Sequence, residues 1–253
     1  MIFGNEMPHR YDKIISRLKK RPLSQNEFWL LLDEVGGLFG DRESELEIIK
    51  SSGIPLIFAH NKVYLQTTLT PIKEQKFCIV DIETNGHNPF LHQPIEIGAI
   101  LYQNGMVQKE FQSFVFCEEI PEYITKITNI TTEMLRNAPP IHQVLESFRI
   151  FLGDCVFVAH NVGFDYGFLS NSLHHYGFGY LYNPSLCTIK LAQKTFQAPR
   201  YSLEFLNGFL SINHSPLHRA LEDAKVALEI FKMGLKNLNK NIYTSEDLIK
   251  FVS

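Results

Sequence analysis

The sequence lacks the features that mark zinc-binding, exported and membrane-spanning proteins. Its four cysteines stand apart, with no Cys-x-x-Cys pair and no short Cys/His spacing, which argues against a zinc site and favours a reducing compartment. No uninterrupted apolar stretch approaches the roughly 18 residues that span a bilayer. The segment Met1–Arg10 also lacks the basic start and apolar run of a signal peptide. We therefore expect a cytoplasmic protein without a membrane partner.

The sequence also lacks an excess of positive charge. Its formal net charge is −3, whereas proteins that coat nucleic acid along the backbone need clustered lysine and arginine to displace counterions. An enzyme that grips only a strand end through metal ions has no such requirement. The 253 residues are 45% hydrophobic, enough to bury a sizeable core, and this length favours two domains.

The first 70 residues predict a small α+β module. Apolar residues at helical spacing, a capping box at Ser24 to Glu27 and a later amphipathic run indicate three helices. Two β-prone runs with a polar turn between them indicate a hairpin. The predicted helices cover 11–20, 28–35 and 43–52, and the predicted strands cover 56–59 and 63–68. Three helices and a hairpin are typical of a winged-helix-like module.

The module could serve as a contact surface. Basic residues cluster near its first helix, at Lys13, Arg17 and 19–21, and such a cluster suits a nucleic-acid contact. Over residues 1–75, however, ten basic and ten acidic side chains balance, which favours an ordinary solvated helix face.

Composition places the domain boundaries. The segment 71–75 is polar, carries a proline and precedes a strand, so we expect a linker there. The module is then 1–70, the larger domain is 76–236, and 237–253 is expected to be a C-terminal tail.

Two carboxylates close a buried strand of the larger domain. The continuous apolar run over 77–80 predicts the strand, and Asp81 and Glu83 come at its end. Side chains two residues apart in a strand point to the same face of the sheet. Two carboxylates side by side repel unless a cation lies between them. The hairpin signal Asn-Gly at 104–105 separates two further apolar runs, so an antiparallel meander is expected.

A third carboxylate follows a second buried strand. The apolar run over 155–159 delivers His160 and Asn161, and Asp165 comes just before a helical run over 166–176. We interpret His160 as a residue that fixes the strand end by hydrogen bonding. Farther along, the run over 185–196 mixes β-prone and helical residues, and its type stays open.

A histidine and a fourth carboxylate accompany the last long helix. Ser215 and Pro216 predict the helix start, which would place His218 in the first turn and Asp223 in the body of a helix that runs to about Lys236. Five positions on a regular helix correspond to about 140° around its axis, so the two side chains would flank a common site. Four carboxylates and a histidine are the parts needed to hold two hard cations over a phosphodiester and activate a water.

Together these stretches resemble the DEDDh-type 3′–5′ exonucleases, the superfamily that contains the proofreading epsilon subunit of bacterial DNA polymerase III. The resemblance rests on Asp-Ile-Glu-Thr at 81–84, His-Asn-Val-Gly-Phe-Asp at 160–165 and His-Arg-Ala-Leu-Glu-Asp at 218–223. It covers about residues 75–235, and the Ile-Thr-Asn-Ile-Thr segment at 127–131 also looks like a region of the family. It implies an α/β fold of the ribonuclease-H-like type, a mixed sheet flanked by helices.

The resemblance also implies a role for each residue of the acid set. Asp81, Glu83 and Asp223 would hold one Mg²⁺, Asp81 and Asp165 would hold the second, and His218 would be the general base. Mn²⁺ is expected to substitute. The assignment agrees with the preference of Mg²⁺ for carboxylates and retained waters.

Four neighbouring residues are candidates for binding the terminal nucleotide of the substrate. Thr84 and Gly86 could offer backbone contacts, Phe164 could pack near its sugar or base, and Asn161 is the fourth candidate. For Thr84 and Gly86 the alternative is a strand-end turn, and for Phe164 it is a core aromatic.

The expected function is release of nucleoside 5′-monophosphates from the 3′ ends of single-stranded nucleic acid, DNA in preference to RNA, in proofreading or repair. An RNA-trimming enzyme of the RNase T or oligoribonuclease kind would use the same five residues, and a non-catalytic scaffold subunit is a third alternative. Only the 17 residues of 237–253 follow the last predicted helix, so two alternatives stay open: the protein binds no polymerase, or a replicative polymerase or other protein partner binds through residues 1–70.

Overall fold

The computed structural model describes residues 10–36, 41–215 and 218–253. Within them, a small N-terminal module is followed by a larger α/β domain. The module contains α1 (Asp12–Leu18), β1 (Leu23–Ser24), α2 (Gln25–Gly36), α3 (Arg42–Ser51), β2 (Leu56–Ala59) and β3 (Lys62–Leu65). Its antiparallel sheet has the order β1-β3-β2. The predicted three helices and hairpin are present, and strand β1 was not predicted.

Local hydrogen bonds explain where the helices of the module begin. The Glu27 amide donates to Ser24 Oγ and the Ser24 amide donates to the Glu27 carboxylate, at 3.2 and 3.0 Å. This reciprocal pair is the predicted capping box. Asp41 accepts from the amides of Glu43 and Ser44 at the start of α3. The resemblance of the whole module to a winged helix stays a prediction.

The larger domain is built on a five-stranded mixed sheet of order β6-β5-β4-β7-β8. Its strands are β4 (Phe77–Thr84), β5 (Pro94–Gln103), β6 (Met106–Phe114), β7 (Val156–Ala159) and β8 (Ser185–Cys187). The first three strands are antiparallel, and β7 and β8 continue the sheet in parallel with β4. Its helices are α4 (Glu122–Thr128), α5 (Thr132–Leu135), α6 (Ile141–Leu152), α7 (Val162–His175), α8 (Thr188–Thr195), α9 (Leu203–Phe209), α10 (Ala220–Lys236) and α11 (Ser245–Val252). The predicted ribonuclease-H-like α/β fold is confirmed.

The alternation of side chains along β4 decides which face carries the chemistry. Cys78, Val80 and Ile82 are buried in a core that also contains residues of α6 and α7, whereas Phe77 and Ile79 are buried with residues of α10. Because successive side chains point to opposite faces, Asp81 and Glu83 lie on the face covered by α10.

Two helix starts near the acid set differ from the predictions, and one assignment that the sequence left open is resolved. Helix α7 begins at Val162, before Asp165, with Asn161 as its N-cap in a left-handed conformation (φ 75°). The predicted start at Ser215 and Pro216 is wrong, because α10 begins at Ala220 with Arg219 as N-cap. Pro216 itself lies outside the described residues. The run over 185–196 divides into β8 and α8.

The module and the larger domain are joined by buried contacts. Thr67 Oγ1 donates to Glu246 Oε2 at 2.7 Å, and both residues are buried. The Tyr182 amide donates to Ser52 O at 2.9 Å. The expected linker 71–75 is itself held, since Pro71 forms a β-bridge with Thr244.

The segment 237–253, expected to be a tail, contains a packed helix. Thr244 and Asp247 form a capping box at the start of α11. Leu248 and Val252 of this helix are buried in the same core as Phe77 and α10. The segment therefore completes the core of the larger domain.

The cysteines lie in the interior as free thiols: Cys78, Cys117, Cys155 and Cys187 are all buried. Burial raises the pKa of Cys78 well above its ordinary value and that of Cys155 to about 12, so neither is a reactive thiolate. Among the described helices, none has both the length and the apolar character required to cross a bilayer.

Candidate active site

Strand β4 carries the first two carboxylates to the edge of the site. Asp81 and Glu83 are half-buried, and Ile82 between them is buried on the opposite face. The strand is paired with β5 beyond both residues, with Asp81 opposite Gly98 and Glu83 opposite Glu96. Because Val80 and Ile82, on either side of Asp81, are both buried in the opposite core, the predicted placement of both acids on one face of the sheet is confirmed.

Helix α7 supplies the third carboxylate. Asp165 lies in the first turn of the helix and is only 3% exposed. After burial, the charge of Asp165 is the largest cause of the raised pKa of Asp81, and the nearby backbone of Ile82 in β4 acts to lower the pKa of Asp165. The connection from β7 into α7 therefore brings Asp165 against the middle of β4.

The fourth carboxylate and the histidine lie at the start of α10. Asp223 is 6% exposed and lies in the first turn of the helix. His218 is exposed and precedes the helix, with a left-handed backbone (φ 61°). The His218 amide donates to Asp223 Oδ2 at 3.1 Å. The predicted position of His218 in the helix is therefore wrong, and the two side chains meet because the chain turns before α10 begins.

Glu83, His218 and Asp223 form a cluster with the geometry of a cation site. One ligand atom from each lies within 4.8 Å of the other two. The buried Asp223 Oδ1 has no hydrogen-bond partner among the described residues, and an unpaired buried carboxylate oxygen is costly unless a cation or water satisfies it. Carboxylate oxygens are the ligands that Mg²⁺ prefers, so the donor set fits a divalent cation.

The carboxyl groups raise one another's pKa values. Burial, followed by repulsion from Asp223 and Glu96, raises the pKa of Glu83 to about 8. Burial raises the pKa of Asp165 to about 8 and that of Asp223 to about 6. For Asp81 the pKa is raised well above its ordinary range by burial and by the charges of Asp165, Asp223 and Glu83. Such a cluster of shifted acids in one place is typical of a functional site.

A buried ion pair that the sequence analysis missed fixes the start of α10. Glu96 is fully buried on β5 and accepts from Arg219 Nε and Nη2 at 3.1 and 3.0 Å. It also accepts from the Ala220 amide at 3.2 Å. At Gly98 on the same strand, a Cβ atom would lie 2.3 Å from the Ala220 backbone. These contacts place His218 and Asp223 beside β4, and the available signal was a glutamate inside the otherwise apolar run over 95–102.

Comparison with known proteins identifies the family. Residues 78–231 match the family model described as "Exonuclease" (RNase_T). The chain belongs to this exonuclease family. The matched residues run from β4 into α10 and include all five members of the acid and histidine set.

Curated relatives support the assignment. The chain is 35% identical over 164 residues to the DNA polymerase III subunit epsilon of Aquifex aeolicus, covering 64% of this chain and 81% of that protein. It is 34% identical over 171 residues to the PolC-type DNA polymerase III of Clostridium perfringens, covering 67% of this chain and 12% of that protein. The chain spans 30% of the length of a Mycobacterium tuberculosis relative that is 33% identical.

Solved structures share the fold. Escherichia coli Exonuclease I in complex with a dT13 oligonucleotide has a TM-score of 0.59 at 18% identity, covering 65% of this chain and 42% of that chain. Exonuclease X in complex with 5′ overhanging duplex DNA has a TM-score of 0.51 at 23% identity, covering 70% and 99%. At these identities the likeness shows the fold of the exonuclease domain.

The four candidate nucleotide-binding residues differ in their exposure to solvent. Thr84 is buried and its hydroxyl donates to Gly86 O at 2.7 Å. A Cβ at Gly86 would lie 2.3 Å from the His92 ring. Asn161 is exposed at the start of α7, and the Phe164 ring is 37% exposed. Thr84 and Gly86 therefore build the strand-end turn, and the side chains of Asn161 and Phe164 face solvent near Asp165.

His160 has a structural role. Its Nδ1 lies 2.9 Å from Thr188 Oγ1 and its Nε2 lies 2.8 Å from Tyr201 O. Burial lowers the pKa of the imidazole to about 4. Both ring nitrogens are engaged, which confirms that this side chain fixes the strand end.

Proposed function

We propose that the protein is a 3′–5′ exonuclease that releases nucleoside 5′-monophosphates from single-stranded 3′ ends with the help of two divalent cations. The observation that carries this proposal is the convergence of four carboxyl groups with raised pKa values from three separate elements, β4, α7 and α10. Repulsion of this kind is relieved by divalent cations. Membership of the exonuclease family supports the same reaction class.

Each carboxylate has a place in the proposed site. Glu83 and Asp223, with Asp81, would hold one cation, and Asp81 with Asp165 would hold the second. Mg²⁺ is the proposed ion, with Mn²⁺ as a substitute. Cations bound there would stabilise the charge that develops on the phosphate and lower the pKa of a water nucleophile.

His218 is the proposed general base. Its side chain is exposed, and its backbone is tied to Asp223, so the imidazole lies beside the carboxylates and open to solvent. There it can accept a proton from the attacking water, a step that typically contributes about 10²- to 10⁴-fold to the rate.

DNA is the proposed substrate, and proofreading or repair is the proposed context. Support comes from the similarity to a DNA polymerase III epsilon subunit and from two structural neighbours that were solved in complex with DNA. A replicative polymerase or another protein is the proposed partner of residues 1–70. The module carries exposed Leu30 and Ile48, at 63% and 47%, which such a partner would cover.

The proposal is tested with single-stranded DNA and RNA of matched sequence, labelled at the 5′ or the 3′ end. We expect stepwise, Mg²⁺-dependent release of mononucleotides from DNA 3′ ends and no release in EDTA. Asp165→Asn keeps the side-chain shape and removes the charge, so it should lower the rate at least about 10³-fold. The exposed Glu122→Gln is the matched control and should leave the rate unchanged.

Two results would change the conclusion. Faster degradation of RNA than DNA by the same site would assign the protein to RNA trimming. Full activity in the Asp165→Asn variant, with the wild type active, would show that hydrolysis does not depend on this acid set.

A further inference from the structure

A cavity of about 680 Å³ has Asn85, two residues after Glu83 of the proposed active site, in its lining. One wall is the loop 85–93, which leaves the end of catalytic strand β4. The other wall is the C-terminal part of α7 over 171–176, together with Tyr180. We call this cavity the α7 groove. Because β4 and α7 also carry Asp81, Glu83 and Asp165, the groove and the acid set share their supporting elements.

The loop wall is ordered yet presents apolar side chains to solvent. The Asn85 amide donates to Gln93 O at 3.1 Å and the Gln93 amide donates to Asn85 Oδ1 at 2.8 Å, which closes the base of the loop. The Phe90 amide donates to Asn88 Oδ1 at 3.0 Å. Even so, Phe90 and Leu91 are 74% and 77% exposed. Large apolar side chains held out by a well-bonded loop are typical of a binding surface.

The helix wall offers flat rings. The imidazole of His174 stacks on Tyr180, with ring centroids 3.9 Å apart and an interplanar angle of 12°. Next to it, His175 lies edge-on to Tyr176, which is 40% exposed. Among the described residues that line the groove, none is an aspartate, glutamate, lysine or arginine. The lining therefore suits the faces of nucleobases, which stack on aromatic and imidazole rings, better than it suits phosphates.

The distance from the cleavage site fits a strand. Asn171 and His175 lie six and ten positions after Asp165 on the same helix, which corresponds to about 9 and 15 Å along its axis. Stacked nucleotides advance about 3.4 Å each along one strand. The groove would thus receive bases roughly three to four nucleotides from the one being cleaved.

We propose that the α7 groove binds unpaired bases of the substrate strand upstream of the cleaved 3′ nucleotide, through Phe90 on the loop and the His174 and Tyr176 rings on α7. This inference rests on the proposed function. Its consequence is a preference for single-stranded ends at least about five nucleotides long, because a paired strand cannot present its bases to rings.

The test compares short and long substrates in the wild type and in the Phe90→Ala/Tyr176→Ala double variant. The short substrate is p-nitrophenyl thymidine 5′-monophosphate, which occupies only the terminal site, and the long one is octathymidylate. We expect the double variant to lose about tenfold or more in kcat/KM on the octamer, through KM, since each stacking contact contributes about 1–3 kcal/mol. On the short substrate, kcat/KM of the double variant should stay within about twofold of the wild-type value.

The matched control is Tyr243→Ala, which removes a 62% exposed ring outside the groove. It should leave kcat/KM unchanged on both substrates. Anisotropy of 5′-labelled octathymidylate in EDTA gives a readout that does not need hydrolysis, and binding should weaken in the double variant alone. Equal loss on both substrates, or unchanged octamer binding, would overturn the inference. If the wild type hydrolyses neither substrate but octathymidylate binding still weakens in the double variant, the proposed function is wrong and the groove is still a binding site for single-stranded DNA.

Discussion

The clustered carboxyl groups of β4, α7 and α10 hold protons more tightly in the folded protein than in the unfolded chain. Glu83 and Asp165 have pKa values raised to about 8, and Asp223 to about 6, against ordinary values near 4. A raised pKa in the folded state means that folding is favoured while the group is protonated. Stability is therefore lost as pH rises through the interval from about 4 to 8.

This residue-scale effect predicts that Tm depends on pH and that a bound divalent cation reduces this dependence. In EDTA, Tm should fall between pH 5 and pH 8.5, and 10 mM Mg²⁺ should restore most of it at the higher pH. Asp165→Asn, which cannot ionise, should show a smaller fall than the wild type. Differential scanning fluorimetry measures each Tm, and parallel pH curves for the two proteins in EDTA would contradict the prediction.

The acid set could be predicted from the sequence because each member follows a recognisable local pattern, a strand end or a helix start. The role of Glu96 could not be predicted, since a single glutamate in an apolar strand gives no indication of its partner. Arg219 lies 123 positions away, and only the register of β5 against the start of α10 brings the two together. The conformation of His218 was also beyond sequence reasoning, because the Ser-Pro pair at 215–216 looks like a helix start.

At the scale of elements, the Glu96–Arg219 ion pair holds the start of α10 against β5. Arg219→Ala would leave a fully buried carboxylate without its cation, which typically costs about 3 kcal/mol or more. We expect Tm to fall by roughly 6–12 °C and kcat to fall more than KM changes, because His218 and Asp223 lose their alignment. Arg200→Ala, at an exposed position, is the control. An Arg219→Ala variant with wild-type Tm would show that the pair has no structural role.

At the scale of the whole molecule, the feature that matters is the set of contacts between the module and the larger domain, which we call the join. Sequence patterns predicted the elements on either side, but not the join, because it depends on residues as far apart as Thr67 and Glu246. Local periodicity carries no information about such a contact. For the same reason the segment 237–253 was expected to be a tail although it completes a core.

A pair of glycines tests whether this join stabilises the whole molecule. Gly53 and Gly105 both have positive φ, 92° and 78°, but a Cβ at Gly53 would lie 2.0 Å from Asn183 Oδ1 whereas a Cβ at Gly105 meets nothing within 4 Å. Both alanine variants bear the backbone strain, and only Gly53→Ala also disturbs the join. We expect one cooperative unfolding transition in each protein, with the larger fall in Tm for Gly53→Ala. Equal Tm values, measured by calorimetry, would show that the join contributes little.

Because the backbone at His218 is left-handed, selection for stability and selection for activity should favour different residues at this position. Such a conformation typically costs a residue other than glycine about 1–3 kcal/mol, so selection for a sturdier fold alone would favour glycine there. Glycine carries no imidazole and would remove the proposed base. Libraries screened for thermal tolerance should therefore enrich inactive His218→Gly clones, whereas libraries screened for hydrolysis should keep the histidine.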